Sequence, residues 1–81
     1  MTVKVLFFSL LRDLAGTDQL ALALSASATL GDAVERLRER FPSLAAWDGR
    51  LLLAVNGAYA NRATSLADGD EIALMPPVQG G

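Results

Sequence analysis

The residues with the clearest chemical potential lie together at positions 76–81, which read Pro-Pro-Val-Gln-Gly-Gly. Proline donates no ladder hydrogen bond and favours extended backbone, so Pro76 and Pro77 are expected to end a sheet and lead the chain away from it. Gly80 and Gly81 carry no side chains, so this segment fits a channel too narrow for other residues. The carboxylate of Gly81, read as the chain end, is a group that adenylation would activate toward a nucleophile. The plainer reading of the same residues is a frayed terminus.

Little else in the composition offers reactive chemistry. The 81 residues include no cysteine and no histidine, which removes disulfides, thiolate nucleophiles, imidazole bases and zinc-finger ligand sets. No paired carboxylates, metal-ligand spacing or phosphate loop can be placed in one cleft, which argues against an independent enzyme. Seven basic and nine acidic residues give a net charge of -2 and a pI near 4.8. That balance suits nucleic acid poorly, because duplex affinity rests on cationic phosphate contacts. The uncharged run at 19–31 is too short and too rich in serine and threonine to span a bilayer, and nothing at the start reads as a signal peptide. The expectation is one soluble cytoplasmic domain with no nucleic-acid or membrane partner. Its 52% apolar content and mean hydropathy of +0.33 exceed what a small soluble domain needs.

The elements ahead of the tail must position it. Residues 3–10 (VKVLFFSL) are β-branched and aromatic with Lys4 as the sole charge, a strand pattern. Period two puts Leu6 and Phe8 on the face of Lys4, with Val3, Val5 and Phe7 opposite. Residues 11–15 suit one helical turn closed by Gly16 in a left-handed conformation. Residues 19–25 (QLALALS) alternate leucine with alanine, as a half-buried strand does. Thr29 opens the clearest helix as its N-cap, and Asp32 sits three residues on, as in a capping box. Leu30, Ala33, Val34, Leu37 and Phe41 follow at helical spacing, with Glu35, Arg36, Arg38, Glu39 and Arg40 on the other faces. Pro42 ends this helix, and residues 43–49 read as an irregular or single-turn connection in which Trp47 covers one edge of the core. Residues 50–56 (RLLLAVN) are an apolar run of strand length. Asn56-Gly57 signals a turn, residues 58–61 a short return strand, and residues 68–70 (DGD) another turn. Residues 71–75 (EIALM) make a last strand, with Glu71, Ala73 and Met75 on one face and Ile72 and Leu74 on the other.

The order strand, strand, helix, strand, short strand, strand is satisfied by one helix laid on one face of a mixed sheet. That is an α+β fold of the β-grasp kind. The first and last strands are expected to pair in parallel at its centre. On this division residues 1–75 form the domain and residues 76–81 an extended tail.

Three stretches, VKVLFFSLLRDLAG at 3–16, AVNGAYA at 54–60 and LADGDEIALMPPVQGG at 66–81, resemble the family of molybdopterin synthase small subunits, ubiquitin-like sulfur carriers. The region 27–48 matches in pattern only. The combination of DGDE, a short strand, PPV and Gly-Gly is the specific part. Sulfur carriers of thiamine synthesis share the Gly-Gly but usually lack the diproline and the VLFF start. The resemblance implies that an E1-like adenylating enzyme uses ATP to adenylate Gly81 and that a sulfur donor system converts the acyl-adenylate to a thiocarboxylate. It further implies that the tail enters the large synthase subunit of a heterotetramer, where the catalytic residues lie. Sulfur there passes to cyclic pyranopterin monophosphate, and two transfers build the molybdopterin dithiolene. Gly81 is then the covalent carrier and Gly80 the clearance residue. Pro76, Pro77 and Val78 guide the tail, with Gln79 also against the partner, and the chain itself binds no cofactor or metal.

Because the helix covers one sheet face, Phe8 and Met75 on the other are candidate partner-binding residues, with Leu6 and Tyr59 nearby. The plain alternative for each is ordinary core or tolerated surface. Where relatives often carry an aromatic pair before the prolines, this chain has Leu74-Met75. Arg12 matches an arginine that follows the first strand in the family and would meet an acidic group on a partner; a solvated charge is the alternative. Asp68, Asp70 and Glu71 read as turn residues first, with docking to the activating enzyme as the alternative. Sulfur carriage for thiamine, cysteine or tRNA thiolation, a non-covalent binding module and an isopeptide-forming modifier stay open. The single lysine, Lys4, counts against the last.

Overall fold

The structure is a computed structural model and describes residues 1–47 and 49–77. Its strands are β1 (Thr2–Phe7), β2 (Gln19–Ala23), β3 (Leu52–Val55), β4 (Ala58–Tyr59) and β5 (Glu71–Met75). They form one five-stranded sheet in the order β2-β1-β5-β3-β4. The β1–β5 pair is parallel, as expected, and the other pairs are antiparallel. Two helices, α1 (Leu10–Ala15) and α2 (Leu30–Arg40), and a 3-10 segment (Pro42–Trp47) complete the described elements.

Period two sorts the sheet residues as the sequence indicated. Val3, Val5 and Phe7 of β1 and Ile72 and Leu74 of β5 are buried. Leu30, Ala33, Val34 and Leu37, one stripe of α2, belong to the same core cluster. Each fully buried leucine contributes roughly 1.5–3 kcal/mol relative to an exposed one. The opposite helical faces hold the ion pairs Arg36–Glu39 and Arg38–Glu35. Trp47 is half-buried at the core edge, and the Arg50 guanidinium lies 5.0 Å from its ring centroid.

The start of α2 accounts for its own backbone donors. Thr29 accepts from the Asp32 amide at 3.3 Å, and the Asp32 carboxylate accepts from the Thr29 amide at 2.9 Å, completing the capping box. The next two amides donate to backbone instead, Leu30 to the Thr64 carbonyl and Gly31 to the Arg62 carbonyl, both at 2.8 Å. Gly31 permits this approach, because a Cβ there would stand 3.1 Å from the Arg62 carbonyl oxygen. The segment leading into β5 is thereby fastened to the helix that covers it.

Several boundaries differ from the sequence reading. β1 stops at Phe7, not at residue 10, because Ser9 adopts φ 53 and ψ -132 and turns the chain into α1. That conformation is uncommon for a residue with a Cβ. Leu10 thereby becomes the exposed first residue of α1. β2 ends at Ala23 and β4 at Tyr59, each two residues early. Phe41 leaves the helical stripe to become the C-cap of α2 and packs edge-on against Phe7, with ring centroids 5.8 Å apart.

Replacing Thr29 with alanine removes the side-chain acceptor for the Asp32 amide. A loss of about 1 kcal/mol is expected, measured as a lower urea midpoint with an unchanged denaturant slope.

Candidate functional site

The face of the sheet opposite α2 is assembled from register. One row crosses all five strands: Gln19, Leu6, Ala73, Ala54 and Tyr59 are successive cross-strand neighbours. Ala73 and Ala54 stand side by side at its centre, and their short side chains leave a dip between taller neighbours. Met75 lies opposite Leu52 in the next row, and the Phe8 amide donates to the Leu74 carbonyl at the same end of the sheet. The result is a concave depression of about 320 Å³ lined by Leu6, Phe8, Ala54, Gly57, Tyr59, Glu71, Ala73 and Met75. Phe8 is 44% and Tyr59 76% exposed, high values for aromatic side chains.

The structure therefore brings Phe8, Tyr59 and Met75 to one apolar hollow. Arg12 sits beside it, in a second depression of about 290 Å³ that shares Leu6 and Phe8 and adds Phe7, Asp18 and Gln19. Among the described residues the Arg12 guanidinium has no ion pair, hydrogen bond or ring partner. Pro76 and Pro77 follow directly on Met75, are half-buried, and carry no strand. Val78, Gln79, Gly80 and Gly81 lie outside the described residues. Ala54, Ala73 and Gly57, the floor and rim of the hollow, were missed in the sequence. Alanine at periodic strand positions was visible, but its meaning depends on the pairing of Ala54 with Ala73.

At the other end of the hollow, hydrogen bonds between two turns hold the rim. Asn56 and Gly57 take φ 51 and 85, as their turn requires. The Asn56 side-chain amide donates to Asp70 at 3.0 Å, and the Glu71 amide donates to the Asn56 side-chain oxygen at 3.0 Å. The second Asp70 oxygen accepts from the Ala67 amide at 2.8 Å. Asp68 accepts from the Thr2 amide at 2.7 Å. Asp68 and Asp70 thus do turn chemistry, while Glu71 forms the rim and lies 3.9 Å from the Lys4 ammonium. The Ala67 backbone bond, then the Asn56 side-chain bond, hold the Asp70 carboxyl below its ordinary value of 3.8, partly opposed by desolvation. Among the described residues no group of three acidic, histidine or cysteine side chains is placed to hold a metal, and no helix is long and apolar enough to cross a membrane.

Fold and site together define a β-grasp protein in which Pro76 and Pro77 follow the central strand of the sheet, at the rim of an open apolar face. The chain belongs to the ThiS family, whose model matches residues 5–81. It is 44% identical to the molybdopterin synthase sulfur carrier subunit of Aedes aegypti, over 98% of this chain and 88% of that one. It is 41% identical to the protein of the same name from Escherichia coli, over 98% and 99%. Among solved structures it resembles SAMP1 of Haloferax volcanii, with TM-score 0.89 and 30% identity over the whole of both chains. It also resembles a chain in the complex of subunits 1 and 2 of the molybdopterin-converting factor from Helicobacter pylori, with TM-score 0.69 and 29% identity, again over both whole chains.

Because the folded-state value of Asp70 lies below the unfolded one, its hydrogen bonds support the fold above pH ~4. That support is lost as pH falls through the lowered value. Asp70→Ala is expected to be less stable than the parent at neutral pH, and the thermal midpoints of the two should converge on acidification toward pH ~2.

Proposed function

We propose that this chain is a sulfur carrier of the molybdopterin synthase type, with residues 1–75 as the domain and residues 76–81 as the reactive tail. The observation that carries the reading is full-length similarity to sulfur carrier subunits, joined to a β5 strand that delivers Pro76 and Pro77 beside an open apolar hollow. In this reading an E1-like enzyme joins the Gly81 carboxylate to the adenylyl group of ATP, and pyrophosphate leaves. Sulfur at the sulfide level, delivered by a donor, then attacks the acyl carbon, AMP leaves, and the tail ends in a thiocarboxylate. Burying that group in a large partner subunit excludes water, which would otherwise hydrolyse it. The pterin acceptor, cyclic pyranopterin monophosphate, receives the sulfur in the partner's site.

This chain's residues have the part of presenting the tail. Gly80 and Gly81 leave clearance for a narrow channel, and Pro76 and Pro77, with no ladder donors, direct the chain off the sheet. Val78 and Gln79 follow as the segment the channel encloses. Phe8, Tyr59 and Met75 form the apolar docking area, where a half-exposed methionine adapts to a partner's shape. The Arg12 guanidinium next to them meets a carboxylate on that partner. The structural likeness to SAMP1 keeps carriage in another pathway and protein modification as alternatives. The single lysine gives little support to self-conjugated chains, since Lys4 lies within a strand beside Glu71.

Intact-mass measurement after incubation with ATP, an E1-like enzyme and a sulfur source is expected to show one oxygen replaced by sulfur, and deletion of Gly81 should abolish that gain. Adducts on lysines of other proteins, with no thiocarboxylate, would identify a modifier instead. Met75→Arg and Phe8→Arg are expected to keep the fold yet bind the large subunit at least about 30-fold more weakly, as for a central interface residue. Calorimetric titration against that subunit checks this.

A further inference from the structure

The two edges of the sheet are treated differently. β4 is a two-residue strand, too short to template another chain. β2 is five residues long, and no charged residue occurs between Asp18 and Asp32. Proteins usually protect an edge of that length with charge, proline or a bulge.

Hydrogen-bond alternation shows which groups the β2 edge presents. The Met1 amine donates to the Leu24 carbonyl, the Leu24 amide to Met1 and the Phe7 amide to Asp18. With Thr2 opposite Ala23 and Lys4 opposite Ala21, the even-numbered residues of β2 bond inward to β1. The backbone groups of Gln19, Ala21 and Ala23 therefore point outward. Gln19 is already served at this edge, because the Thr17 hydroxyl accepts from its amide at 3.4 Å and donates to its carbonyl at 2.9 Å. The Ser25 carbonyl, past the strand's end, accepts from the Ala28 amide at 3.1 Å. What remains open is the pair Ala21 and Ala23, both exposed and bearing only methyl groups.

We propose that this window pairs with the same window of a second copy. The two edges join antiparallel about a two-fold axis at Leu22, with Ala21 opposite the second copy's Ala23. This register uses all four open backbone groups on each side, and at its flanks both Gln19 groups and the Ser25 carbonyl are already bonded within the chain. On the helix-covered side it aligns Leu22 with Leu22 and Leu20 with Leu24. On the other side it aligns methyl with methyl and places no like charges opposite one another. The arrangement is isologous and closes as a dimer. It leaves the apolar hollow of each copy, with Pro76 and Pro77 beside it, away from the joined edges, so it goes beyond the proposed carrier function without competing with it.

Sedimentation velocity on the full chain, from about 0.01 to about 1 mM, is expected to show a reversible monomer–dimer equilibrium. Over the same range amide exchange at Ala21 and Ala23 should slow by about tenfold, while exchange in β5 stays constant. Ala23→Lys, which places a charge on the edge, should abolish both effects, and Ala21→Pro, which removes an outward amide, serves as the second variant. Met75→Arg should leave the dimer intact. A chain that stays monomeric throughout, with exchange at Ala21 and Ala23 independent of concentration, overturns the proposal. So does a dimer that survives Ala23→Lys, or one that Met75→Arg dissolves, since association then runs through the open face.

Discussion

The parallel pairing of β1 with β5 is the constraint from which the rest follows. A parallel pair cannot be closed by a tight turn, so the chain between must travel from one end of the sheet back to the other. In this protein that journey includes α2, whose apolar stripe shares a core with the inward residues of β1 and β5. With the chain's one long helix spent on that face, the other is left to small and apolar residues. The same pairing puts β5 in the middle of the sheet. Pro76 and Pro77 consequently follow a strand paired on both sides, next to the uncovered face.

Shape on that face comes from contrast in side-chain size. Leu6 and Tyr59 stand on either side of the adjacent alanines Ala73 and Ala54. Ala54 is buried although it points away from the helix, because its neighbours rise around it. The turn network through Asn56 and Asp70 then fixes where Gly57 and Glu71 stand at the rim. The floor of such a hollow is set by backbone register, so little ordering entropy remains to be lost at Ala54 and Ala73 when something docks there.

Most of the architecture was legible in the sequence because its signals are local. The Thr29–Asp32 box, the Asn56-Gly57 turn, the left-handed Gly16 and the period-two strands each depend on neighbours within a few residues. What was not legible depends on distant pairing or on local strain. No feature of Ser9 announces a φ of 53, and the short extent of β4 reflects limited pairing with β3. The row from Leu6 to Tyr59 unites positions far apart in the chain, so Phe8 and Met75 could be read as candidates while Ala54 and Ala73 could not. The proposed reactive end was read from the order of residues at 76–81 and from the family resemblance, since its last four residues lie outside the described structure.

The central place of β5 has a consequence for how the protein is made. The strand that completes the sheet is the last described strand to be synthesised, so a nascent chain halted before Glu71 has two half-sheets and no parallel pair to join them. Folding therefore waits for β5, and the residues that follow it gain their fixed point of departure in the same event. A truncated product would lack a native core as well as a tail and would be removed by proteases that act on unfolded chains. Cellular turnover thus removes chains that stop before β5 is made.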